Sequence, residues 1–436
     1  SWNEKYLVNM DTNIGAKERV TQNRLIGLFK NVLKYTYLGN WETREDNANI
    51  EEKLLTAYLS RRGYTDKEIR SAIVKLKQSA NSLGGGLYNA NKDVYTFLRY
   101  GVNIQPEVTE KKKMVHLIDW ANPMENDFQI AEEVTIQGAS DRRPDLVVYV
   151  NGIALAVIEL KRSTVSAHEG IRQNIRNQQD GYIPRFFTTI QLLFAGNDTE
   201  GLYYGVIKTP EKFWLRWKEP CGEPCHPSHF IAKEYPNELD RSVLQFFEPV
   251  RLLEYIHDFI IFDGGIRKTA RPNQYFAVKA AQPRVRKKQN GIIWHSQGSG
   301  KSLTMVWLAQ WIRENVSDAR VVIITDRDEL DKQIESGFKD VGEQIQRAKS
   351  GGKLIEMLNA AEPWLICTLI HKFGNKNDSD AISVGNKKAS KSLDLYLEEL
   401  AKSLPADFCA KGNIYVFIDE CHRTQGGMLH EATKHI

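Results

Sequence analysis

The chain has 436 residues, of which 42% are hydrophobic and 26% charged, so it can bury a core in each of two or more domains. No apolar run is long enough for a transmembrane helix, and the polar N-terminal sequence predicts no signal peptide, so we expect a cytoplasmic protein without a membrane partner. The net charge of +4 permits nucleic-acid binding but does not require it.

The first part of the chain is predicted to be helical and then rich in strands. Apolar residues recur at helical spacing between Thr21 and about Ser82, as in "RLIGLFKNVLKYTYL". Strand patterns follow up to Thr209, in "DFQIAEEVTI", "DLVVYVNGIALAVIEL", "TIQLLFAG" and "GLYYGVIKT", with a helix from about Ala167 to Asp180. Sequence rich in Pro and Trp then predicts the end of a first domain, 1–238, with helices on a mixed sheet.

Four potential zinc ligands lie within this Pro-rich sequence, in "CGEPCHPSH": Cys221, Cys225, His226 and His229. Structural zinc sites usually draw two pairs of ligands from separate segments, and two prolines stiffen this one. A surface loop and a zinc site both stay open as interpretations.

A second domain, 239–436, is predicted to be α/β. The apolar runs "GIIW", "RVVIIT", "WLICT" and "IYVFID" alternate with helical sequence such as "SLTMVWLAQWI". This alternation indicates a parallel sheet with crossover helices. Polar sequence at 375–392 is expected to be a disordered excursion.

The segment "GIIWHSQGSGKS" combines an apolar run, a loop of small residues and Lys-Ser at the predicted start of a helix, which is the context of a phosphate-binding loop. In such a loop the backbone N–H groups of Gly298, Ser299 and Gly300 cradle phosphate oxygens. Lys301 neutralises their charge and Ser302 binds Mg²⁺.

A pair of acids follows the last predicted strand, in "IYVFIDECHR". Asp419 is placed to contact Mg²⁺ through water, and Glu420 to polarise the water that attacks the phosphate. One departure from the phosphate-loop pattern is His295, which stands where that pattern has Gly.

The segments "HSQGSGKS" and "DECH" resemble motifs I and II of superfamily 2 helicases and translocases, which implies a RecA-like domain that uses ATP and Mg²⁺. "RPNQYFAV" resembles the adenine-reading segment and implies that Gln274 binds the base. "IITDRDELDKQ" and "TLIHKF" resemble the motifs that touch the DNA backbone. Because the chain ends sixteen residues after Glu420, we expect the second motor lobe to be absent from it and ATP hydrolysis to be very slow.

Three ionisable residues flank the most hydrophobic hairpin of the sequence: Asp145 before its first strand, and Glu159 and Lys161 at the end of its second. Burying such groups costs several kcal/mol each unless they are paired or bind a metal. One interpretation makes Asp145 a turn residue and the other two a solvated pair on an edge strand. The alternative is a metal site.

The register of the hairpin distinguishes these interpretations. A strict two-residue turn at Asn151 and Gly152 places Asp145 opposite Ile158, so that the two acids lie on opposite faces. A connection of three or five residues centred on Gly152 instead pairs Asp145 with Glu159. The metal site therefore predicts the longer connection.

"PD" at Asp145 and "ELK" at Glu159 to Lys161 resemble the pattern of the PD-(D/E)xK nucleases. The resemblance implies that Asp145 and Glu159 hold one or two Mg²⁺ ions while Lys161 orients the attacking water. Gln178 and Tyr182 form Q-x-x-x-Y, as in the RecB-like branch, where the pair lies on one helix face and supports the site and the DNA. Some members also have an acid on an N-terminal helix, for which Glu18 and Glu51 are both candidates.

A RecB-like nuclease followed by a superfamily 2 lobe resembles the motor (R) subunit of type I restriction enzymes, as do "TQNRLIGLF" and "YLGN". The resemblance implies a bacterial or archaeal protein that joins methylation and specificity subunits. Such a protein translocates double-stranded DNA with ATP and cleaves it far from the recognition sequence. A DNA-repair or antiviral helicase-nuclease, and a non-catalytic DNA-binding assembly module, remain as alternatives.

Overall fold

The computed structural model describes residues 18–105, 111–219, 235, 237–296, 298–325, 338, 345–348, 351–360, 362–369 and 411–419. The chain divides into two compact units, Ser1–Pro272 and Asn273–Ile436. None of the described helices is long and apolar enough to cross a membrane.

The first unit is built on a seven-stranded mixed sheet with the order β1-β4-β5-β6-β7-β8-β9, beside two hairpins, β2-β3 and β10-β11. The strands of this unit are β1 (Thr36–Asn40), β2 (Val102–Ile104), β3 (Lys113–Val115), β4 (Phe128–Glu132), β5 (Leu146–Val150), β6 (Ile153–Leu160), β7 (Leu192–Asn197), β8 (Gly201–Gly205), β9 (Leu215–Arg216), β10 (Ile260–Asp263) and β11 (Ile266–Thr269). The pairs β1-β4 and β6-β7 are parallel and the other neighbours in the large sheet are antiparallel.

The helices described in this unit are α1 (Glu18–Asn31), α2 (Glu52–Arg61), α3 (Asp66–Asn81), α4 (Gly86–Tyr100), α5 (Ala167–Asn177), α6 (Glu238–Phe246) and α7 (Pro249–Asp258). Local sequence explains where several begin. Thr65 and Glu68 form a capping box at the start of α3, and the Asn237 side chain accepts hydrogen bonds from the backbone N–H groups of Leu239 and Asp240 in α6.

The core lies around β5 and β6, in which every residue is buried. Strands covered on both faces lose the alternation of polar and apolar residues, and this explains the continuous apolar runs in the sequence. One aromatic and aliphatic cluster joins these strands to β7, α5 and the turn after α5.

One strand lies where the sequence predicts helix. Lys34, with φ of 63°, leaves the helical region after α1, and β1 follows as a half-buried edge strand parallel to β4. Tyr35, just before β1, is buried and its hydroxyl donates to the Phe247 carbonyl at 2.7 Å. This long-range contact, which a local pattern does not encode, accounts for the difference.

The boundary between the units lies at Pro272, later than the 238/239 boundary predicted from the sequence. The segment 239–272, predicted to open the second domain, packs on the first unit. The ring of Phe247 packs against that of Phe194 in β7, with centroids 4.6 Å apart and planes tilted by 50°, and Tyr204 of β8 donates to the Ala270 carbonyl at 2.8 Å.

The second unit contains a four-stranded parallel sheet with the order β13-β14-β12-β15. Its described elements are α8 (Pro272–Arg286), which begins at the boundary, α9 (Lys301–Asn315), β12 (Ala319–Thr325), β13 (Gln346–Ala348), α10 (Gly351–Asn359), β14 (Leu365–Leu369) and β15 (Asn413–Ile418). The strands predicted from "RVVIIT", "WLICT" and "IYVFID" are β12, β14 and β15. The parallel α/β architecture predicted for this part is therefore present.

The strand predicted from "GIIW" is not formed. Gly291–Trp294 has no strand partner among the described residues, and the side chains of Ile292 and Trp294 are 77% and 88% exposed. The apolar composition that suggested a buried strand is therefore not matched by burial. The sequence 375–392, predicted to be disordered, lies outside the described residues.

Candidate active site

The hairpin β5-β6 turns through two residues. Val150 pairs with Ile153, and both Asn151 and Gly152 have positive φ, 53° and 79°, as a type I′ turn requires. The Asn151 amide side chain is held by the Leu117 carbonyl at 2.9 Å. The predicted connection of three or five residues is therefore wrong. Asn151 and Gly152 both adopt the positive φ of a two-residue turn, and the contact with Leu117 stabilises it.

A β-bulge nevertheless provides the register that the acid pair needs. Tyr149 pairs with Ala154 but Val148 pairs with Ala156, so Leu155 is an extra residue on β6. Its carbonyl accepts from the Gln191 backbone at 2.7 Å. The pairing beyond the bulge is shifted by one residue.

This shift brings the two predicted metal-binding acids together. Beyond the bulge Leu146 lies opposite Ile158, so the next residue outward on each strand places Asp145 opposite Glu159. Without the bulge Asp145 would face Ile158. Asp145 and Glu159 therefore lie opposite each other as predicted, but because of the bulge and not because of a longer turn.

The acid pair is buried and incompletely hydrogen bonded. Asp145 is 8% exposed and accepts from the Leu160 backbone N–H at 2.6 Å. Glu159 is 0% exposed, and neither carboxylate oxygen has a hydrogen-bond partner among the described residues. An ionised carboxylate cannot stay in such a place without a cation, so the position fits either a protonated acid or a metal ligand.

Burial and mutual repulsion set the protonation of the pair. Burial raises the pKa of Asp145 to about 6, against the opposing attraction of Lys161. Burial and the nearby charge of Asp145 raise the pKa of Glu159 well above its usual range. Burial by itself lowers the pKa of Lys161, but the surrounding acids outweigh it and raise this pKa, so Lys161 stays charged at neutral pH.

Lys161 connects the acid pair to the first helix. Its Nζ donates to the Leu160 carbonyl at 2.8 Å and lies 3.3 Å from Oε1 of Glu18, the first residue of α1. Glu51, the other N-terminal candidate, pairs with Arg44 at 2.6 Å, and its backbone N–H donates to the Gly152 carbonyl at the turn end of the hairpin. Glu18 is therefore the candidate that lies at the acid pair.

The Q-x-x-x-Y pair does not share a helix face. Helix α5 ends at Asn177, with Gln178 as its C-cap and Tyr182 in the turn that follows, so the predicted i, i+4 arrangement is wrong. Gln178 accepts from the Lys208 backbone N–H at 2.7 Å, and the Arg142 guanidinium lies 4.2 Å from the centre of the Tyr182 ring. These side chains contact Asn174, Lys208 and Arg142, none of which belongs to the acid pair.

Two acids that the sequence did not single out lie beside the site. Glu132 ends β4 and pairs with Leu146, while the Glu133 backbone N–H donates to the Asp145 carbonyl at 2.9 Å. Charges at the end of a predicted strand are usually solvated, so nothing in "QIAEE" marks them. The positions of Glu132 and Glu133 beside the acid pair follow only from the pairing of β4 with β5.

The second unit contains the predicted phosphate-binding loop. Gly298 and Gly300 have positive φ, 77° and 85°, and Lys301 is the first residue of α9. The Ser299 hydroxyl is buried without a hydrogen-bond partner among the described residues. A helix N-terminus that follows a loop of small residues is suited to bind phosphate.

Gln274, predicted to bind adenine, lies at this loop, where its side-chain amide donates to the Gly300 carbonyl at 2.8 Å. His295, in place of the expected Gly, is half-buried, and burial together with Lys301 lowers its pKa. Ser302 follows Lys301 in the first turn of α9.

Asp419 follows β15 directly and is 9% exposed, with its backbone N–H donating to the Ile324 carbonyl at 3.1 Å. Thr325 and Thr368 lie at the same edge of the sheet, where parallel strands end, and their hydroxyls are buried without described partners. Glu420 lies outside the described residues, as do Cys221, Cys225, His226 and His229.

Comparison with known families gives two matches. Residues 16–212 match the type I restriction enzyme R protein N terminus, and residues 273–436 match the SWI2/SNF2 ATPase family. The second match begins at the structural boundary between the units.

Several curated proteins are similar to the chain. A Methanocaldococcus jannaschii protein named as the MjaIXP endonuclease subunit of a type I restriction enzyme is 28% identical over 78% of this chain and 33% of its own length. The SsaAORF53P endonuclease subunit of Staphylococcus saprophyticus is 26% identical over 74% of this chain and 32% of its own length.

Fold and matches together define an α/β protein that joins the N-terminal domain of a restriction R protein to an ATPase domain. Residues 16–212 belong to the family of R protein N termini of type I restriction enzymes, and the chain is similar to proteins named as endonuclease subunits of such enzymes. It spans about a third of the length of the curated relatives it matches.

Proposed function

We propose that the first unit is a Mg²⁺-dependent DNA endonuclease of the PD-(D/E)xK, RecB-like kind and that Asp145, Glu159 and Lys161 are its catalytic residues. The observation that carries the proposal is Glu159, a fully buried carboxylate without a hydrogen-bond partner among the described residues, opposite Asp145. Lys161 beside the pair completes a set in which two acids and one amine converge. An isolated structural acid would gain nothing from that position.

Each residue then has a defined task in phosphodiester hydrolysis. The oxygens of Asp145 and Glu159 would hold one or two Mg²⁺ ions, with Glu18 as a further acid at the rim. When bound, the metal supplies charge neutralisation at the phosphate and lowers the pKa of water. Lys161, charged at neutral pH, orients that water by donating hydrogen bonds. Gln178 and Tyr182 are proposed to support the DNA from outside the metal site.

The second unit is proposed to bind ATP with Mg²⁺. Lys301 and the N–H groups of Gly298, Ser299 and Gly300 would hold the phosphates, which the left-handed glycines and the unpartnered Ser299 hydroxyl support. The proposed partners of Mg²⁺ and water are Ser302, Asp419 and Glu420, and Gln274 is proposed to bind the base.

In the intact protein these units would act within a type I restriction-modification system. Together with methylation and specificity subunits, the R protein would translocate double-stranded DNA with ATP and cleave it far from the recognition sequence. The support is the family match and the names of the relatives. The nuclease domain is proposed for residues 1–238 and the motor domain for residues 239–436. In the structure, residues 239–272 belong to the same compact unit as the nuclease.

Metal binding and DNA nicking test the nuclease proposal. We expect the chain to bind Mn²⁺, measured by electron paramagnetic resonance, and Asp145→Asn and Glu159→Gln to weaken binding at least about 10-fold. Nicking of supercoiled DNA should fall at least about 100-fold in Lys161→Ala. Asp141→Asn, at an exposed acid in the preceding loop, is the control. Unchanged Mn²⁺ affinity in both acid variants, with folding intact by circular dichroism, would contradict the proposal.

Nucleotide binding tests the second unit separately. Lys301→Ala should weaken binding of a fluorescent ATP analogue at least about 10-fold, because it removes the charge that faces the phosphates. Lys287→Ala changes an exposed lysine of the same unit and should leave the affinity unchanged. Equal affinities of the two variants would argue against the assigned loop.

A further inference from the structure

Glu132 lies at the centre of a hydrogen-bonded cluster next to the acid pair. It is 5% exposed, and its carboxylate accepts from Gln22 Nε2 at 2.9 Å and from the Tyr37 hydroxyl at 2.5 Å. Nη1 of Arg19 lies 3.1 Å from the same carboxylate. Three donor side chains thus converge on one buried carboxylate, so Glu132 is an anchor for the residues that reach it.

Two of these partners, Arg19 and Gln22, belong to α1 and lie within one turn of Glu18. Gln22 lies one turn after Glu18, at i, i+4, so the two side chains share one face of α1. Arg19 follows Glu18 directly and also pairs with Glu133 at 3.2 Å. A helix end without such anchors frays, since its first N–H groups have no partner within the helix.

The anchor and the acid pair are built on adjacent strands. Glu132 pairs with Leu146, the residue after Asp145, and the Glu133 N–H donates to the Asp145 carbonyl at 2.9 Å. The backbone of β4, β5 and β6 therefore fixes Glu132 relative to Asp145 and Glu159. The α1 residues that bind Glu132, Gln22 and Arg19, are therefore also fixed relative to these two acids.

We propose that Glu132 is a positioning residue of the nuclease site, which acts through Gln22 and Arg19 to hold the first turn of α1 so that Glu18 faces the acid pair and Lys161. Glu18 thereby becomes a third carboxylate directed at the divalent cation. The inference rests on the proposed nuclease function. It assigns a task to Glu132, Gln22 and Arg19, which no part of the nuclease pattern includes.

A neighbouring position on α1 offers a matched control. Thr21, next to Gln22 and 1% exposed, donates to Asp198 at 3.1 Å. Thr21→Val removes one buried hydrogen bond from the same helix and leaves the bonds to Glu132 in place. A purely structural role of Gln22 predicts similar effects of the Thr21 and Gln22 variants on metal binding.

The experiment measures Mn²⁺ affinity and thermal unfolding of the whole chain for five variants: Glu18→Gln, Gln22→Leu, Glu132→Gln, Thr21→Val and the double variant Glu18→Gln with Gln22→Leu. We expect Gln22→Leu and Glu18→Gln each to weaken Mn²⁺ binding about 10-fold, as loss of a supporting contact does. The double variant should bind no more weakly than Glu18→Gln alone, because Gln22 acts through Glu18. Thr21→Val should bind Mn²⁺ as the unchanged chain does.

Other outcomes overturn the inference. Independent, additive losses in the double variant would show that Gln22 does not act through Glu18, and so would normal affinity in Gln22→Leu. If Gln22→Leu does not fold, Glu132→Gln, which keeps the shape of the side chain, decides by the same comparison. Loss of Mn²⁺ binding in Glu159→Gln but not in Glu18→Gln would reject this inference and leave the nuclease proposal standing. Normal binding in both Asp145→Asn and Glu159→Gln would reject this inference together with the nuclease proposal.

Discussion

Glu159 carries a large electrostatic cost in its ionised form. It is fully buried on a central strand, faces Asp145, and has raised pKa because of both conditions. In the metal-free protein, a proton on the carboxylate removes this cost; in the metal-bound protein, the charge of the divalent cation does so. Protons and the cation therefore compete for the Glu159 carboxylate. Acidic solution should therefore weaken metal binding.

The same pKa shifts predict how the stability of the metal-free chain depends on pH. Because the pKa of Asp145 is about 6 when folded and near the usual aspartate value when unfolded, the folded state binds more protons over this interval. The free energy of unfolding should then fall as pH rises from about 4 to above 6, by on the order of 3 kcal/mol.

Glu159→Gln tests this relation, since it removes one of the two acids that repel each other. In the presence of a chelator, its unfolding free energy should depend less on pH than that of the unchanged chain and exceed it at pH 7.5. Urea denaturation followed by circular dichroism gives both values. Parallel pH profiles for the two proteins would refute the assignment of the titrating pair.

At this scale the sequence predicts the acids and the amine, because their pattern is local to the two strands of one hairpin. It does not distinguish Glu18 from Glu51, since both lie at the start of a helix. Only the tertiary contacts do so, which put Glu18 beside Lys161 and Glu51 at the turn. The roles of Glu132 and Gln22 depend on strand pairing and are absent from any short motif.

Between single residues and the whole unit, the hairpin shows how two local signals combine. The Asn-Gly dipeptide correctly indicates a two-residue turn, and the acid pair requires a shifted register. The structure satisfies both with the bulge at Leu155, which sequence patterns do not announce because every residue of β6 is buried. Helix α5 ends early for a similar reason, since the chain turns after Gln178 to pack Ile183 and Phe187 in the core.

Gly152 is the position at which the turn tolerates least change. Its φ is 79°, and an added Cβ would lie 2.7 Å from Leu54 Cβ, 2.8 Å from the Leu55 nitrogen and 2.9 Å from the Glu51 carbonyl oxygen. Gly152→Ala should lower the free energy of unfolding by about 2–4 kcal/mol, because backbone conformation and packing both oppose the methyl group.

Thermal unfolding checks this value against Gly27→Ala, a helical position where an added Cβ meets nothing within 4 Å. That substitution should be neutral or stabilise by about 0.5–1 kcal/mol. Mn²⁺ affinity of the folded Gly152→Ala protein should stay near normal, since the bulge separates the turn from the acid pair. Equal stability of the two variants would show that the turn relaxes.

On the scale of the whole molecule, the sequence predicts two α/β regions with a boundary at 238/239, whereas the compact units of the structure divide at Pro272. Sequence rich in Pro and Trp looks like a linker, and the helices after it look like the start of the next domain. Contacts between residues far apart in sequence hold residues 239–272 on the rest of the first unit. Arg24 pairs with Asp240 at 3.1 Å, and Arg267 donates to Asn91 at 2.7 Å.

The stability of shortened chains follows from these contacts. A chain ending at residue 238 loses Asp240, the Phe247 carbonyl and Arg267, which bind Arg24, Tyr35 and Asn91 respectively. It also exposes the apolar surface that Phe246 and Phe247 cover. We expect it to be less stable than a chain ending at residue 272 by at least about 3 kcal/mol, through lost burial and unsatisfied polar groups.

Urea denaturation of both shortened chains measures the difference directly. The chain ending at 272 should unfold in one cooperative transition and keep the Mn²⁺ affinity of the whole protein, because all residues proposed for the metal site lie within it. The chain ending at 238 should unfold at lower urea concentration and bind Mn²⁺ more weakly, since α1 loses its contact with Asp240. Equal midpoints would mean that 239–272 packs on the first unit without stabilising it.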